Sequence, residues 1–95
     1  MAMILAMQKV HYVGKLIDGT EFDNSRERGE PATFRANQVI KGWTKALTNM
    51  HEGDIYEIYI PFEEGYGERE QRGIPSYSDL LFEIELIKVN PKRRY

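Results

Sequence analysis

A single stretch of helical periodicity, flanked on both sides by strand-forming runs, is the feature that most restricts the fold of this chain. Apolar side chains recur at helical spacing between residues 38 and 53, on one face of a short helix: Ile40, Trp43, Leu47 and Met50. Gly53 follows as a helix stop. A chain of 95 residues has room for one hydrophobic core. This helix must therefore cover the apolar face of whatever sheet the flanking runs form.

The flanking runs predict four or five antiparallel strands, at residues 9–17, 20–23, 33–35, 54–60 and 80–89. Asp18-Gly19 is a strong hairpin signal between the first two. The polar stretch 24–31 is expected to leave the sheet as a loop or a wide bulge. Residues 62–79 hold several glycines and no period, which indicates a long loop with a functional role.

These elements predict an α+β fold, in which a curved antiparallel sheet, or half-barrel, wraps around one short amphipathic helix. Residues 9–89 are expected to form the folded domain. Residues 1–8 are interpreted as a leader, an edge strand or an expression remnant, and residues 90–95 as a basic C-terminal tail. An edge strand at 1–8 would supply a further strand at the start of the sheet.

Composition argues against several classes of function. The chain carries 13 Lys and Arg against 15 Asp and Glu, a net charge of −2, and lacks the basic face that nucleic-acid binding requires. No apolar run approaches the roughly 20 residues of a membrane helix. Without cysteine there is no disulfide or thiolate metal site, and His11 and His51 lack metal-ligand spacing, so no metal and no cofactor is expected. A soluble domain of this kind suits the cytoplasm, the periplasm and the cell surface equally.

Aromatic side chains come from different elements of this small domain: Tyr12, Phe22, Phe34, Trp43, Tyr66 and Phe82. Composition alone leaves two interpretations open. The rings either fill the core or wall a ligand pocket, with the tryptophan of the helix at its floor.

The order and spacing of several motifs indicate a family resemblance. The motifs are VHYVGKLIDGTEFD (10–23), Ser25, Arg28-Gly-Glu-Pro31, Gln38-Val-Ile-Lys-Gly-Trp43, Ile60-Pro61, Gly65-Tyr-Gly67, Ile74-Pro75 and LLFEIEL (80–86). As a set, over residues 9–89, they resemble the FKBP-type peptidyl-prolyl cis-trans isomerases. They look most like the C-terminal catalytic domain of bacterial macrophage-infectivity-potentiator-like members.

The resemblance implies an isomerase that assists protein folding by lowering the barrier to Xaa–Pro rotation. The alternative is a non-catalytic module that binds proline peptides or macrolides. Implied partners are proline-containing polypeptides and macrolides such as FK506 or rapamycin, although Ala32 stands where eukaryotic relatives have a pocket aromatic. Relatives usually carry a helical dimerising segment ahead of this domain, and the 95-residue sequence does not include one. The chain is therefore expected to be a monomer, whereas a longer parent chain with such a segment could be a dimer.

The resemblance also implies the residues of the site. The catalytic set is Tyr12, Phe22, Asp23, Trp43, Tyr66 and Phe82, and the substrate-binding set is Arg28, Phe34, Val39, Ile40 and Ile74. Trp43 would form the floor beneath the proline ring. The Ile40 N–H and the Tyr66 hydroxyl would donate hydrogen bonds to substrate carbonyls. Asp23, tied to Arg28 and Tyr12, would be the polar group of the pocket wall.

Overall fold

The structure, a computed structural model, describes residues 7–90. Five strands form one antiparallel sheet: β1 (Met7–Leu16), β2 (Glu21–Asn24), β3 (Ala32–Arg35), β4 (Ile55–Ile60) and β5 (Leu80–Asn90). The described residues also form two α-helices, α1 (Ser25–Arg28) and α2 (Lys41–Leu47), and two short 3₁₀ helices, Ala36–Gln38 and Phe62–Glu64. The predicted α+β class, with an open antiparallel sheet and one main helix, is confirmed.

Strand β1 organises the sheet because it pairs with three other strands. One of its edges runs antiparallel to β5 along its whole length. Its other edge pairs with β3 between Met7 and Val10, and with β2 between Val13 and Lys15. β4 lies on the far side of β5. Between the segments that pair with β3 and β2, the edge of β1 is therefore left without a strand partner at His11 and Tyr12.

The first strand begins at Met7, two residues before the predicted start at Lys9. Met7 and Gln8, which the sequence left open as part of a leader, an edge strand or an expression remnant, pair with β3 and β5. The Gln8 side chain is fully buried, in step with Val10 and Tyr12 further along β1. A polar residue at an inward position interrupts the alternation of apolar and polar residues. The sequence therefore predicts a start of β1 that is two residues too late. Residues 1–6 and 91–95 of the predicted leader and tail lie outside the described residues.

The prediction of a loop or wide bulge after β2 was wrong for its first half, which forms the one-turn helix α1. The Asn24 side chain caps this helix, since it accepts hydrogen bonds from the N–H groups of Arg26 and Glu27 at 2.9 and 3.2 Å. Gly29 ends the helix in the left-handed conformation, with φ at 84°. Two capping residues at the correct spacing therefore make a helix of a segment whose composition is typical of a loop.

Helix α2 ends at Leu47, short of the predicted stop at Gly53. Side chains then bond to carbonyls of the last turn: the Thr48 hydroxyl donates to the Thr44 carbonyl at 2.8 Å, and the Asn49 amide donates to the Lys45 carbonyl at 2.7 Å. Such hydrogen bonds compete with continued helix. The apolar face nevertheless continues into the core beyond the helix.

The concave face of the sheet forms the core together with α2. On β5 the inward side chains alternate as predicted, and all are buried: Leu80, Phe82, Ile84 and Leu86. On α2, Gly42 allows close approach to the end of β4, because a Cβ there would lie 2.7 Å from the Ile60 side chain. No helix among residues 7–90 has the length and apolar character that crossing a membrane requires.

Gly14 tests how tightly the aromatic side of this core is packed. A Cβ at this position would lie 2.7 Å from ring atoms of Phe22 and Phe82. We expect Gly14→Ala to lower the free energy of unfolding by about 1–3 kcal/mol, because overpacking displaces the two rings. Urea denaturation measures the change. Lys15→Ala, at an exposed neighbouring position, should stay within about 0.5 kcal/mol of wild type. A Gly14→Ala protein as stable as wild type would contradict the close packing.

Candidate active site

A cleft of about 680 Å³ opens between the sheet, α2 and the loop that follows β4. It is lined by Tyr12, Phe22, Asp23, Phe34, Gln38, Val39, Ile40, Trp43, Glu63, Gly65, Tyr66, Gly67, Arg69 and Phe82. Nine of the eleven residues that the sequence nominated for the site belong to this lining, so the fold gathers most of them on one surface. The two others, Arg28 and Ile74, lie elsewhere.

Trp43 is at once a core residue and part of the cleft surface. Its side chain is almost completely buried, and its indole meets three rings edge to face. The ring centroids are 5.1 Å away for Tyr12, 5.4 Å for Phe34 and 5.2 Å for Phe82. Contacts of this geometry stabilise by about 0.5–1.5 kcal/mol each beyond the area they bury. The same rings therefore pack the core and wall the cleft, which unites the two interpretations that composition left open.

Asp23 carries a negative charge on the cleft wall, and several donors hold it. The Tyr12 hydroxyl donates to one carboxylate oxygen at 2.5 Å. The Arg28 guanidinium donates to the other oxygen and forms an ion pair with it. The Asn24 N–H adds a third hydrogen bond at 2.9 Å. Because a carboxylate at an aromatic wall is costly without partners, this set of donors allows Asp23 to stay there as an anion.

The pKa values of the cleft follow from this arrangement. Burial tends to raise the pKa of the Asp23 carboxyl, but hydrogen bonds from Tyr12 and Arg28 and the charge of Arg28 outweigh it and lower the pKa. Burial, and then the hydrogen bond to Asp23, raises the pKa of the Tyr12 phenol. Burial also raises the pKa of Tyr66, with a smaller contribution from the Asp23 charge. Both phenols therefore keep their protons at neutral pH and can donate hydrogen bonds.

Ser25 places α1, and with it Arg28, beside the cleft. Its hydroxyl oxygen is fully buried and accepts the Tyr12 N–H at 2.7 Å, where β1 has no strand partner. The same oxygen lies 2.8 Å from Nδ1 of His11. On the other side of α1, Arg26 donates to Glu85 of β5 at 2.6 Å. A serine side chain thus replaces a backbone carbonyl at the gap between β2 and β3.

Arg28 and Ile74 are the two nominated residues that do not line the cleft. Arg28 stands behind Asp23, with half of its side chain exposed, and donates to the Tyr12 oxygen at 3.2 Å. Ile74 is 5% exposed and packs in the core, and its role in substrate binding stays a prediction. Its backbone forms two hydrogen bonds with Gln71, of 2.9 and 2.8 Å, and this tight turn carries the Ile74 side chain inward.

Sequence reasoning missed five residues of the lining: Gln38, Glu63, Gly65, Gly67 and Arg69. Backbone hydrogen bonds explain why the loop residues are there. The Gly67 N–H donates to the Phe62 carbonyl at 2.9 Å, and the Arg69 N–H donates to the Tyr66 carbonyl at 3.0 Å. Glu63 and Arg69 each lie three residues from Tyr66, and this turn-like spacing is the signal that could have found them.

Side chains suited to metal binding do not converge in this site or elsewhere in residues 7–90, where no group of three or more His, Cys, Asp or Glu could hold a metal ion. What the cleft offers a ligand is an aromatic surface, hydrogen-bond donors and a few charges. That combination suits a ligand that is apolar in its centre and has carbonyl groups at its edges.

Comparison with known proteins identifies the family. The family model for FKBP-type peptidyl-prolyl cis-trans isomerase matches residues 5–87. The chain belongs to this family. A macrophage infectivity potentiator from Trypanosoma cruzi is 56% identical over 82 residues, which are 85% of this chain and 42% of that protein. The FKBP-type 22 kDa peptidyl-prolyl cis-trans isomerase of Escherichia coli strain K12 is 55% identical over 82 residues, 85% of this chain and 40% of that protein.

Solved FKBP structures show the same fold. The crystal structure of FkpA from Escherichia coli superposes with a TM-score of 0.88 at 46% sequence identity, covering 93% of this chain and 41% of that one. The chain thus spans about two fifths of the length of the curated relatives described above. The resemblance that the sequence motifs indicated, to the FKBP-type isomerase domain of macrophage-infectivity-potentiator-like members, is confirmed.

The stability of this FKBP domain should depend on pH through Asp23. Because the pKa of its carboxyl in the folded protein lies below the ordinary value of 3.8, the ionised form stabilises the fold above that pH. This stabilisation is lost as the pH falls through the pKa of the folded state. Asp23→Asn removes the contribution, so urea denaturation at about pH 6 and about pH 3 should show a smaller loss of stability for the variant than for wild type.

Glu57→Gln is the matched control, because it removes an exposed carboxylate from β4, away from the cleft. It should lose as much stability at low pH as the wild type. Equal losses for Asp23→Asn and wild type would show that the hydrogen bonds of Asp23 do not stabilise its ionised form.

Proposed function

We propose that this chain catalyses the cis-trans isomerisation of Xaa–Pro bonds in polypeptides, and that the reaction takes place in the aromatic cleft. The observation that carries the proposal is the cleft itself, with a buried tryptophan surface and hydrogen-bond donors around it. Membership of the FKBP-type isomerase family supports the same conclusion. The physiological substrates would be folding or mobile chains with accessible prolines.

The reaction needs no covalent chemistry. Rotation about the Xaa–Pro bond is opposed by amide resonance, a barrier of about 18–20 kcal/mol, and takes tens to hundreds of seconds without a catalyst. In the twisted transition state the resonance dipole is lost and the nitrogen becomes more pyramidal. An apolar surface therefore disfavours the transition state less than it disfavours the planar amide, and it lowers the barrier without a general base.

Trp43, Tyr12 and Phe82 supply that apolar surface, and we assign the proline ring to it. Trp43 packs edge to face on the two other rings, which are tilted against each other. This packing leaves the rings little freedom, so the surface is formed before the substrate binds. A preformed site avoids the cost of ordering its side chains on binding. Phe22, Phe34 and Val39 complete the wall around the ring.

Ile40 and Tyr66 supply the donors that orient the peptide. Ile40 lines the cleft directly before α2, and its N–H is bonded to no carbonyl of residues 7–90. The Tyr66 hydroxyl keeps its proton and has no hydrogen-bond partner among the same residues. These two donors, which both belong to residues of the cleft lining, would hold the carbonyls that flank the rotating bond. Asp23 then acts at the wall, as an anion held next to the aromatic rings.

A non-catalytic binding module would use the same surface without speeding the rotation. The presence of Asp23, Trp43 and Tyr66 together on one cleft favours the enzyme, because mere retention of a proline ring needs only the apolar wall. Macrolides such as FK506 or rapamycin are proposed as competing ligands of this cleft. The small side chain of Ala32 leaves less wall for them than an aromatic would.

For the assembly we propose that the 95-residue chain is a monomer. Proline-containing polypeptides would then reach the cleft of each copy independently. A longer parent chain that adds a dimerising segment would present two such clefts to one substrate.

Exchange NMR on a Leu-Pro peptide tests the proposed activity. The apolar mouth of the cleft favours an apolar residue before proline, so we expect cis-trans exchange to become measurable when the protein is added at a concentration below that of the peptide. FK506 at the same concentration as the protein should suppress the acceleration of cis-trans exchange. Binding of the peptide without faster exchange would favour the binding module, and no acceleration at near-equal concentrations would reject the enzyme.

Substitutions at Trp43 test whether its side chain forms the floor of the substrate cleft or only fills the core. Removal of a large buried aromatic, as in Trp43→Ala, is expected to cost about 3–5 kcal/mol of stability. Trp43→Leu retains part of the apolar volume, so it should lose less stability than Trp43→Ala but still lose most of the activity, as measured by urea denaturation and exchange NMR. Tyr56→Leu, a partly buried aromatic outside the cleft, is the control that should lose stability without a matching loss of activity. Full activity in a folded Trp43→Leu protein would make Trp43 a core residue alone.

A further inference from the structure

The rim of the cleft carries charges that rotation of a neutral amide does not require. Three charged residues contribute to the lining, namely Asp23, Glu63 and Arg69. The charge of Asp23 is compensated by the ion pair with Arg28. Glu63 and Arg69 therefore remain as the charges that a bound peptide would meet at the loop.

The backbone of the loop holds Arg69 at the rim. The Arg69 N–H donates to the Tyr66 carbonyl at 3.0 Å, so the residue sits one turn from a predicted substrate donor. Across the loop, the Tyr77 N–H donates to the Gly67 carbonyl at 2.8 Å, and the ring of Tyr77 packs edge to face on Phe62 at 5.5 Å. The position of Arg69 is thus determined by the fold, although its side chain is exposed.

The Arg69 guanidinium is available for a substrate. The salt bridges within residues 7–90 are Arg26–Glu85, Arg28–Asp23, Lys45–Glu64 and His51–Asp54, and none includes Arg69. The neighbouring Glu68 forms no salt bridge with Arg69 and accepts a hydrogen bond from the Tyr77 hydroxyl at 3.4 Å. A guanidinium is weakly hydrated and matches the two oxygens of a carboxylate, so it is the better of the two rim charges for pairing with a peptide side chain.

Glu63 lines the cleft and also affects a group outside it. The pKa of the Tyr59 phenol is raised first by its hydrogen bond to Asp79, then by burial, and also by the charges of Asp79 and Glu63. Tyr59 is 56% exposed. The Glu63 carboxylate thus lies close enough to an outward-facing group to influence it. Arg69 is the basic residue among those that line the cleft.

We propose that Arg69 is a specificity-determining residue, which makes the cleft prefer proline segments with a carboxylate side chain next to the Xaa–Pro bond. This inference rests on the proposed isomerase function and names its substrate class as acidic proline-containing segments. The net charge of the chain is −2, so attraction by the protein as a whole would favour basic peptides. A preference for acidic peptides would therefore be a local effect of the rim.

The test uses two series of peptides built around a central Leu-Pro. One series carries Glu, Gln or Lys two residues before the proline, and the other carries them directly after it. Exchange NMR gives kcat/KM for each peptide. In at least one series we expect the order Glu, Gln, Lys, with roughly two- to fivefold between Glu and Gln, the size of an exposed ion pair. The preference should shrink in about 1 M salt, where charges are screened within about 3 Å.

Arg69→Glu should reverse the order within that series, so that Lys peptides become the better substrates. Arg72→Glu makes the same change of charge in the same loop but outside the cleft lining, and it should keep the wild-type order. Equal kcat/KM for Glu, Gln and Lys peptides in both series, or an unchanged order in Arg69→Glu, would overturn the inference while leaving the isomerase activity in place. No acceleration of any peptide would overturn the proposed function and this inference together.

Discussion

The burial of Trp43 among three aromatic rings is the interaction on which the rest of the structure depends. Helix α2 has seven residues, which is too short to be stable in water without tertiary contacts. Trp43 fastens it to Tyr12 of β1, Phe34 of β3 and Phe82 of β5. One side chain thus joins the helix to three strands and also forms part of the cleft surface. In this domain, folding the core and shaping the site are the same event.

The second constraint is the charge of Asp23 at an aromatic wall. A carboxylate in that position needs hydrogen-bond donors. Arg28 follows Asp23 by five residues and reaches back to its carboxylate because the chain turns between them. The one-turn helix α1 makes that possible, because Ser25 fills the gap in the edge of β1 and Asn24 caps the turn. The break between β2 and β3 is therefore part of the site and not a defect in the sheet.

The cleft combines a fixed surface with an adjustable rim. The aromatic surface comes from strands and α2, whose side chains are held by the core, and it suits any proline ring. The rim comes from the loop between β4 and β5, where residues such as Arg69 are exposed and do not pack in the core. Under the proposed function, substitutions in this loop would change which peptides are preferred and would leave the aromatic surface unchanged. Loops supported by a rigid scaffold commonly carry specificity in this way.

The sequence by itself determined the elements with a clear period and the family. The helical spacing around Trp43 and the alternation along β5 are local patterns, and the ordered motifs nominated nine residues that the fold brings to the cleft. The tertiary structure alone decided the rest. Gln8 joins β1 because its neighbours pair with β3 and β5, Ile74 turns inward through a tight turn, and Arg69 reaches the rim through a hydrogen bond in a loop. None of these positions follows from periodicity, because each is set by partners that are distant in sequence or by turn geometry.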